Sequence, residues 1–194
     1  MVQEFMGVTK LAVRDQLLTA RKRLPLGVLG ERARAIAEHL IAAPEVRRAA
    51  TVATYVSVAS EPGTGPLLDA LTHAGKRVIL PLVQPDLDLD WAVYDGPAAL
   101  HTARMGLLEP DGPPLGLDAI SLADAVLVPG VAVGRDGMRL GRGGGCYDRV
   151  LQRVSPGTFV CLVLNSEEVL DSVPAEDHDR RVTAVVTEQG ITRF

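Results

Sequence analysis

Hydrophobic spacing switches from helical to strand-like and back along this chain. Between Thr9 and Leu24, the positions Leu11, Leu17, Leu18 and Leu24 mark roughly one apolar face, predicting a helix that Pro25 stops. A second helix is expected from about Gly30 to Ala42, with Ala33, Ile36, Ala37, Leu40 and Ile41 inward and Pro44 as its stop. Thr51–Val58 is short and β-branched, so it predicts a strand. After the polar turn Ser60–Thr64, Pro66 opens a helix that closes at Gly75. Val78–Leu82 reads as the next strand, and Leu89–Tyr94 as one that is antiparallel or at an edge. Asp95–Leu122 is irregular, with six prolines and glycines inside Gly106–Gly116. Ala125–Val128 and Thr158–Leu164 are apolar throughout, and Ala184–Thr187 is the last expected strand. Short helices are expected at Tyr147–Val154 and near Glu167. Strands that alternate with helices and are continuously apolar belong to a mostly parallel sheet covered on both faces, an α/β architecture.

Composition narrows this picture. The 194 residues show no repeat, linker or low-complexity tract, so one domain over residues 1–194 is expected. Aromatics are 4% of the chain, which leaves an aliphatic core. Twenty basic against twenty-four acidic residues give a net charge of −4, which argues against whole-surface binding of nucleic acid or anionic membrane but leaves a local basic pocket open. No apolar run is long enough to span a bilayer, and Met1–Lys10 has no signal-type apolar region. Cys146 and Cys161 read as free thiols in a reducing cytoplasm. His39, His73, His101 and His178 have no metal-ligand spacing.

The strongest chemical signal is Arg139-Leu140-Gly141-Arg142-Gly143-Gly144-Gly145-Cys146-Tyr147-Asp148. Glycines let successive N–H groups converge on one point, while a helix start and two arginines add positive charge; that chemistry suits phosphate. No Lys-Ser or Lys-Thr follows, as a Walker A loop requires, and Cys146 stands where a dinucleotide fingerprint needs its third glycine. The structural alternative is a tight strand-to-helix connection. Lys10, Arg14 and Arg21 share a face of the first helix, either as a solvated stripe or around an anion. Glu61 follows the first strand, where ligands bind in open α/β sheets, and Glu109 lies in the irregular stretch. Asp148 and Asp179 could each give an oxygen to magnesium, and Asp148 could equally serve the helix start.

With these residues in view, the chain resembles the 5-formyltetrahydrofolate cyclo-ligase (methenyltetrahydrofolate synthetase) family over nearly its whole length. The likeness runs through Lys10 and Arg14, Glu61, Gly75-Lys76-Arg77-Val78, Pro81, Gly106-Leu107-Leu108-Glu109-Pro110, Val128-Pro129-Gly130-Val131-Ala132, Asp136-Gly137, the glycine loop, Val173-Pro174, His178-Asp179 and Val185-Val186-Thr187-Glu188. The resemblance implies a three-layer α/β/α sandwich related to sugar-phosphate isomerases and CoA transferases. It implies ATP as co-substrate, held by Lys10, Arg14 and the run Arg139, Leu140, Gly141, Arg142, Gly143, Gly144, Gly145, Cys146 and Tyr147. Folate contacts fall on Val56, Glu61, Met105 and Arg142 to Cys146, and Mg2+ on Asp148 and Asp179. Arg142 and Arg139 are the implied catalytic pair, stabilising a phosphoryl group in transfer. A cytoplasmic monomer acting on small molecules, with no nucleic-acid or membrane partner, completes the expectation.

Three positions depart from the family pattern. Cys146 replaces a second Tyr, Met105 replaces Trp or Phe, and Thr183 replaces a common Asp. The first two thin a stacking surface worth about 0.5–1.5 kcal/mol per ring. Cys146 reads as a bystander, although a thiol in a positive loop is open to a lowered pKa. A non-catalytic folate- or nucleotide-binding homologue is the alternative, the lost aromatics being its trace. A sugar-phosphate isomerase is a second rival, and would need a base with a His partner.

Overall fold

The computed structural model describes residues 9–194; most of the Met1–Lys10 stretch read for a signal peptide lies outside the described residues. The first helix, α1, covers Lys10–Arg21, with the Thr9 hydroxyl accepting from the Ala12 N–H at 3.3 Å. Helix α2, Leu26–Ala42, starts four residues earlier than its apolar pattern suggests. Extended Pro25 sets its entry, and Gly27 and Gly30 stand in open space where helix can run through them. Pro44 ends that helix and also opens a new one, α3 (Pro44–Arg48), because proline is tolerated in a first turn.

Strand β1 covers only Thr51–Ala53, not Thr51–Val58. Past Thr54 the ladder is replaced by side chains. Thr64 Oγ1 accepts from the Ser57 N–H at 2.8 Å and donates to the Tyr55 carbonyl at 2.9 Å, while Glu61 accepts from the Val58 N–H at 2.9 Å. The bent segment so formed carries Val56 and Glu61 out beyond the strand. Helix α4 (Gly65–His73), strand β2 (Arg77–Val83) and strand β3 (Leu89–Val93) follow. The stretch expected to be irregular holds a small hairpin, β4 (Leu100–Thr102) with β5 (Leu108–Pro110), then a 3₁₀ turn at Leu117–Leu122. Strand β6 (Ala125–Pro129) leads into a second hairpin, β7 (Ala132–Val133) with β8 (Arg139–Leu140). Its two-residue strands are too short to show a period. Helix α5 is only Cys146–Val150. Strand β9 (Phe159–Val163), a 3₁₀ turn at Ser166–Glu168, strand β10 (Ala184–Thr187) and strand β11 (Gly190–Arg193) complete the described chain.

The main sheet runs β11-β10-β9-β6-β1-β2-β3. Its five inner strands are parallel, and β3 and β11 pair antiparallel at the two edges, as the reading of Leu89–Tyr94 anticipates. Successive residues face opposite layers. Phe159, Cys161 and Val163 pack with α2, α3 and α4, while Val160 and Leu162 pack with α5 and the Ile120 turn. Both faces are covered, which is why these strands are apolar at every position. A third cluster docks Val13 and Leu17 of α1 on Val131, Ala132 and Leu140. Fully burying such a side chain contributes about 1.5–3 kcal/mol.

Candidate functional site

Parallel strands put their carboxyl ends on one side, and the chemically marked residues gather there. The segment after β1 brings Glu61, the hairpin after β6 hands the chain to the glycine loop, and the turn after β9 brings Asn165 and Glu168. Across these ends lies α1.

Gly143 (φ 105°) and Gly145 (φ 69°) hold left-handed backbone in the loop, which favours glycine there. The loop is gripped from two directions. Arg14 Nε donates to the Gly141 carbonyl at 2.7 Å, and its guanidinium lies 3.6 Å from where a side chain on Gly143 would begin. Arg142 Nη2 lies 3.1 Å from Glu61 Oε1, an ion pair in which the carboxylate is 8% exposed and the arginine 45%. Arg142, Gly143 and Gly144 are exposed, and Arg142 has donors to spare. The structure therefore joins three features that sequence spacing leaves apart: the basic helix, the glycine loop and Glu61. Val56 sits in the same bent segment as Glu61, partly buried against the core.

Several expectations need correction. Arg139 is not an open companion to Arg142. It is 4% exposed, with Nη2 donating to Asp148 Oδ1 at 3.0 Å and Nη1 to the Pro129 carbonyl at 3.1 Å. It supports Gly141 from beneath, within 2.9 Å of where a side chain there would begin. The Leu140 side chain is core, packed with α1 and 1% exposed. Helix α5 is too short for a strong dipole, so the positive charge at this loop is that of the arginines. Lys10, Arg14 and Arg21 do share a face, but most of the anions they meet are the protein's own. Lys10 Nζ lies 2.6 Å from Asp179 Oδ2, and Arg21 is buried against Glu168; among the described residues Arg14 alone of the three has no carboxylate partner.

The two aspartates expected to hold magnesium serve different cations, Asp148 that of Arg139 and Asp179 that of Lys10. Among the described residues no three His, Cys, Asp or Glu side chains form a metal cage. Each of these two carboxylates is neutralised by a cation of the protein rather than standing open. Burial alone would push the Asp179 carboxyl up, but the Lys10 ammonium and the Glu176 N–H hold it below its ordinary value. His178 is a surface residue beside Glu176 and Asp179.

Cys146 shows the opposite of an activated thiol: burial pushes its pKa up, and Arg149 and Arg139 only partly offset that. Burial, with the charge of Glu61, also keeps the Tyr147 phenol protonated well beyond its ordinary range, and its ring centroid lies 5.9 Å from the Arg139 guanidinium. Met105 is 72% exposed at the tip of the β4–β5 hairpin, in left-handed backbone (φ 58°). Glu109 accepts from the Val83 N–H at 2.9 Å and ties that hairpin to β2. Neither Glu61 nor Asp148 pairs with a histidine among the described residues, which leaves the isomerase alternative without its base.

Sequence reasoning missed Asn165 and Glu168. The pattern Asn165-Ser166-Glu167-Glu168 carries a capping-box signal, and the structure shows that box formed.

Comparison with known proteins finds similarity over most of the chain. The model of the 5-formyltetrahydrofolate cyclo-ligase family matches residues 7–188. The 5-formyltetrahydrofolate cyclo-ligase of Mycolicibacterium smegmatis is 41% identical over 184 residues, covering 92% of this chain and 93% of that one. The Escherichia coli K12 protein of the same name is 33% identical over 158 residues, 78% of this chain and 85% of that one. The solved 5,10-methenyltetrahydrofolate synthetase of Aquifex aeolicus superposes with a TM-score of 0.83 at 29% identity, covering 96% of this chain and 93% of that one.

Proposed function

The chain belongs to the 5-formyltetrahydrofolate cyclo-ligase family, and on that premise we propose how its residues divide the family reaction. The enzyme catalyses ATP-dependent cyclisation of 5-formyltetrahydrofolate to 5,10-methenyltetrahydrofolate with release of ADP and phosphate. The formyl oxygen on N5 attacks the γ-phosphorus of ATP, and the bond to ADP breaks. The resulting iminium phosphate is attacked at carbon by N10, which loses its proton. The C–O bond then breaks, and phosphate carries that oxygen away.

Phosphoryl transfer needs charge placed around three oxygens more than it needs a nucleophile. The observation that carries the assignment is the Arg142–Glu61 pair at 3.1 Å, which sets a half-exposed cation of the glycine loop beside the carboxylate beyond β1. Arg142 and the N–H groups of Gly143 to Cys146 stabilise the transferring phosphoryl. Arg14 and Lys10 hold the other phosphates, Arg14 with the donors left over from Gly141. Glu61 and Val56 receive the reduced folate, and Met105 approaches it from the hairpin tip. Arg139, Leu140, Tyr147 and Asp148 act from beneath by holding the loop in shape. Magnesium bound with the nucleotide would neutralise phosphate charge; Asp148 and Asp179, the carboxylates that would hold it, would have to share their oxygens with Arg139 and Lys10.

The free thiols Cys146 and Cys161 support a reducing, cytoplasmic setting. No helix among the described residues is long and apolar enough to cross a membrane. A monomer acting on small molecules is part of the same reading.

The test mixes the protein with Mg-ATP and 5-formyltetrahydrofolate and follows the methenyl absorbance. The expected result is an absorbance rise that needs both substrates. Binding of both without turnover would reveal a non-catalytic homologue.

A further inference from the structure

Arg21 is the basic residue of α1 that the chemistry above leaves unused, and it is the most deeply buried of the three, at 1% exposure. Its Nη2 donates to the Gly130 carbonyl at 2.7 Å and to Glu168 Oε2 at 2.8 Å, and its Nε donates to Glu168 Oε1. Glu168 is held in turn by the Asn165 backbone N–H at 2.8 Å and by the Asn165 side-chain amide at 3.2 Å. Arg21 thus ties α1 to the carboxyl ends of both β6 and β9.

Two turns earlier on the same helix face, Arg14 holds the Gly141 carbonyl at 2.7 Å. Gly130 and Gly141 flank the β7–β8 hairpin, where the chain enters and leaves it, and the Val131 N–H donates to the Leu140 carbonyl at 2.8 Å between them. Val13 and Leu17 pack on Val131, Ala132 and Leu140. The helix therefore spans the hairpin stem with an arginine at each end. Gly130 is itself fixed, since a side chain there would begin 2.7 Å from Leu162 Cδ1.

This is an inefficient way to obtain stability. Desolvating both ions of a buried pair is costly, and replacing such a pair by well-packed apolar side chains is often neutral or stabilising. Among the described residues, Arg21 Nη1 also has no hydrogen-bond partner, although it is buried. An apolar side chain would avoid both costs, whereas what a bidentate pair adds is a fixed register. A slip of α1 by about 1 Å would carry Arg14 off Gly141 and Lys10 off Asp179, and positioning errors of that size are costly at phosphate sites.

We propose that Arg21, through Glu168 and Gly130, is a positioning residue for the nucleotide site: it sets the axial register of α1 so that Arg14 and Lys10 meet the phosphates above the glycine loop. The inference rests on the assignment of these residues to nucleotide binding.

The experiment compares wild type with Arg21→Met, Arg21→Lys and Glu168→Gln, each checked for folding by near-UV circular dichroism and assayed at 10 °C. Two quantities are read: the Kd of a non-hydrolysable ATP analogue with magnesium, by calorimetry, and the KM for 5-formyltetrahydrofolate. Arg21→Met should weaken the analogue at least tenfold while the folate KM stays within threefold. Arg21→Lys, which keeps the charge but not the fork, should fall between. A folded Arg21→Met protein with wild-type analogue affinity overturns the proposal, as does an equal loss for both substrates. Should that variant fail to fold, Glu168→Gln decides: several-fold weaker analogue binding supports positioning, and unchanged binding with a lowered Tm reduces Arg21 to a structural brace. A wild-type protein that binds no analogue removes the nucleotide assignment itself, and the proposal with it.

Discussion

Replacing Arg142 by Ala should separate its charge on phosphate from its partnership with Glu61. In the free enzyme the loss strands the Glu61 carboxylate, which is 8% exposed and, among the described residues, keeps only the Val58 N–H as a donor at 2.9 Å. Breaking a fully buried pair costs about 3–5 kcal/mol, but the arginine here is 45% exposed and water can enter on its side. The cost should fall to about 1–2 kcal/mol, a Tm drop of roughly 2–8 °C for a domain of this size. In turnover the loss is of another kind. A charge-assisted hydrogen bond to a phosphoryl oxygen is worth about 1.5–3 kcal/mol, so kcat/KM should fall by roughly tenfold to 150-fold. Thermal melts and the methenyl absorbance assay measure the two effects on the same sample. Adding Glu61→Gln to Arg142→Ala should recover most of the lost Tm, because a neutral amide can still accept from Val58 and needs no cation. The same addition should recover none of the lost turnover. Normal turnover in folded Arg142→Ala protein would refute the phosphate role. A Tm loss that Glu61→Gln does not reverse would refute the stranded-carboxylate reasoning.

Asp148→Asn should lower stability by about 3 kcal/mol, since it leaves Arg139 charged and unpaired at 4% exposure, while the magnesium titration of activity stays put; a shifted titration with an intact Tm would make Asp148 a metal ligand instead. Asp179 is held below its ordinary value of 3.8, so its link to Lys10 contributes stability above about pH 4 and loses it as pH falls further, and Asp179→Asn should flatten that acid limb in pH-dependent denaturation; an unchanged limb would show the pair contributes nothing. Because burial pushes the Cys146 thiol above its ordinary range, iodoacetamide at pH 7.5 should modify it more slowly than a free thiol, with the rate still rising above pH 9, and fast labelling at neutral pH would contradict that environment.

Much of this protein is legible in its residues because the relevant physics is local. Short, continuously apolar runs bounded by turn residues, such as Phe159–Val163, read as strands buried on both faces, and proline and glycine set most helix ends to within a few residues. The glycine loop, with its left-handed Gly143 and Gly145 beside Arg142, is likewise a local statement. Elements too short to show a period were not legible. The two-residue strands of the β7–β8 hairpin and the edge strand β11 exist because neighbours offer them hydrogen bonds, and Val56 left its expected strand because Thr64 and Glu61 took over the backbone partners beyond β1. Charge roles were the least legible of all. Arg139 and Arg142, three positions apart, look equivalent in sequence; one is buried on Asp148 and the other half-exposed beside Glu61. Arg14 and Arg21 share a helix face, yet one reaches the loop and the other an interior carboxylate 147 residues away. An arginine's chemistry depends on which anion the fold brings within about 3 Å, and that long-range contact is made only when the chain is packed.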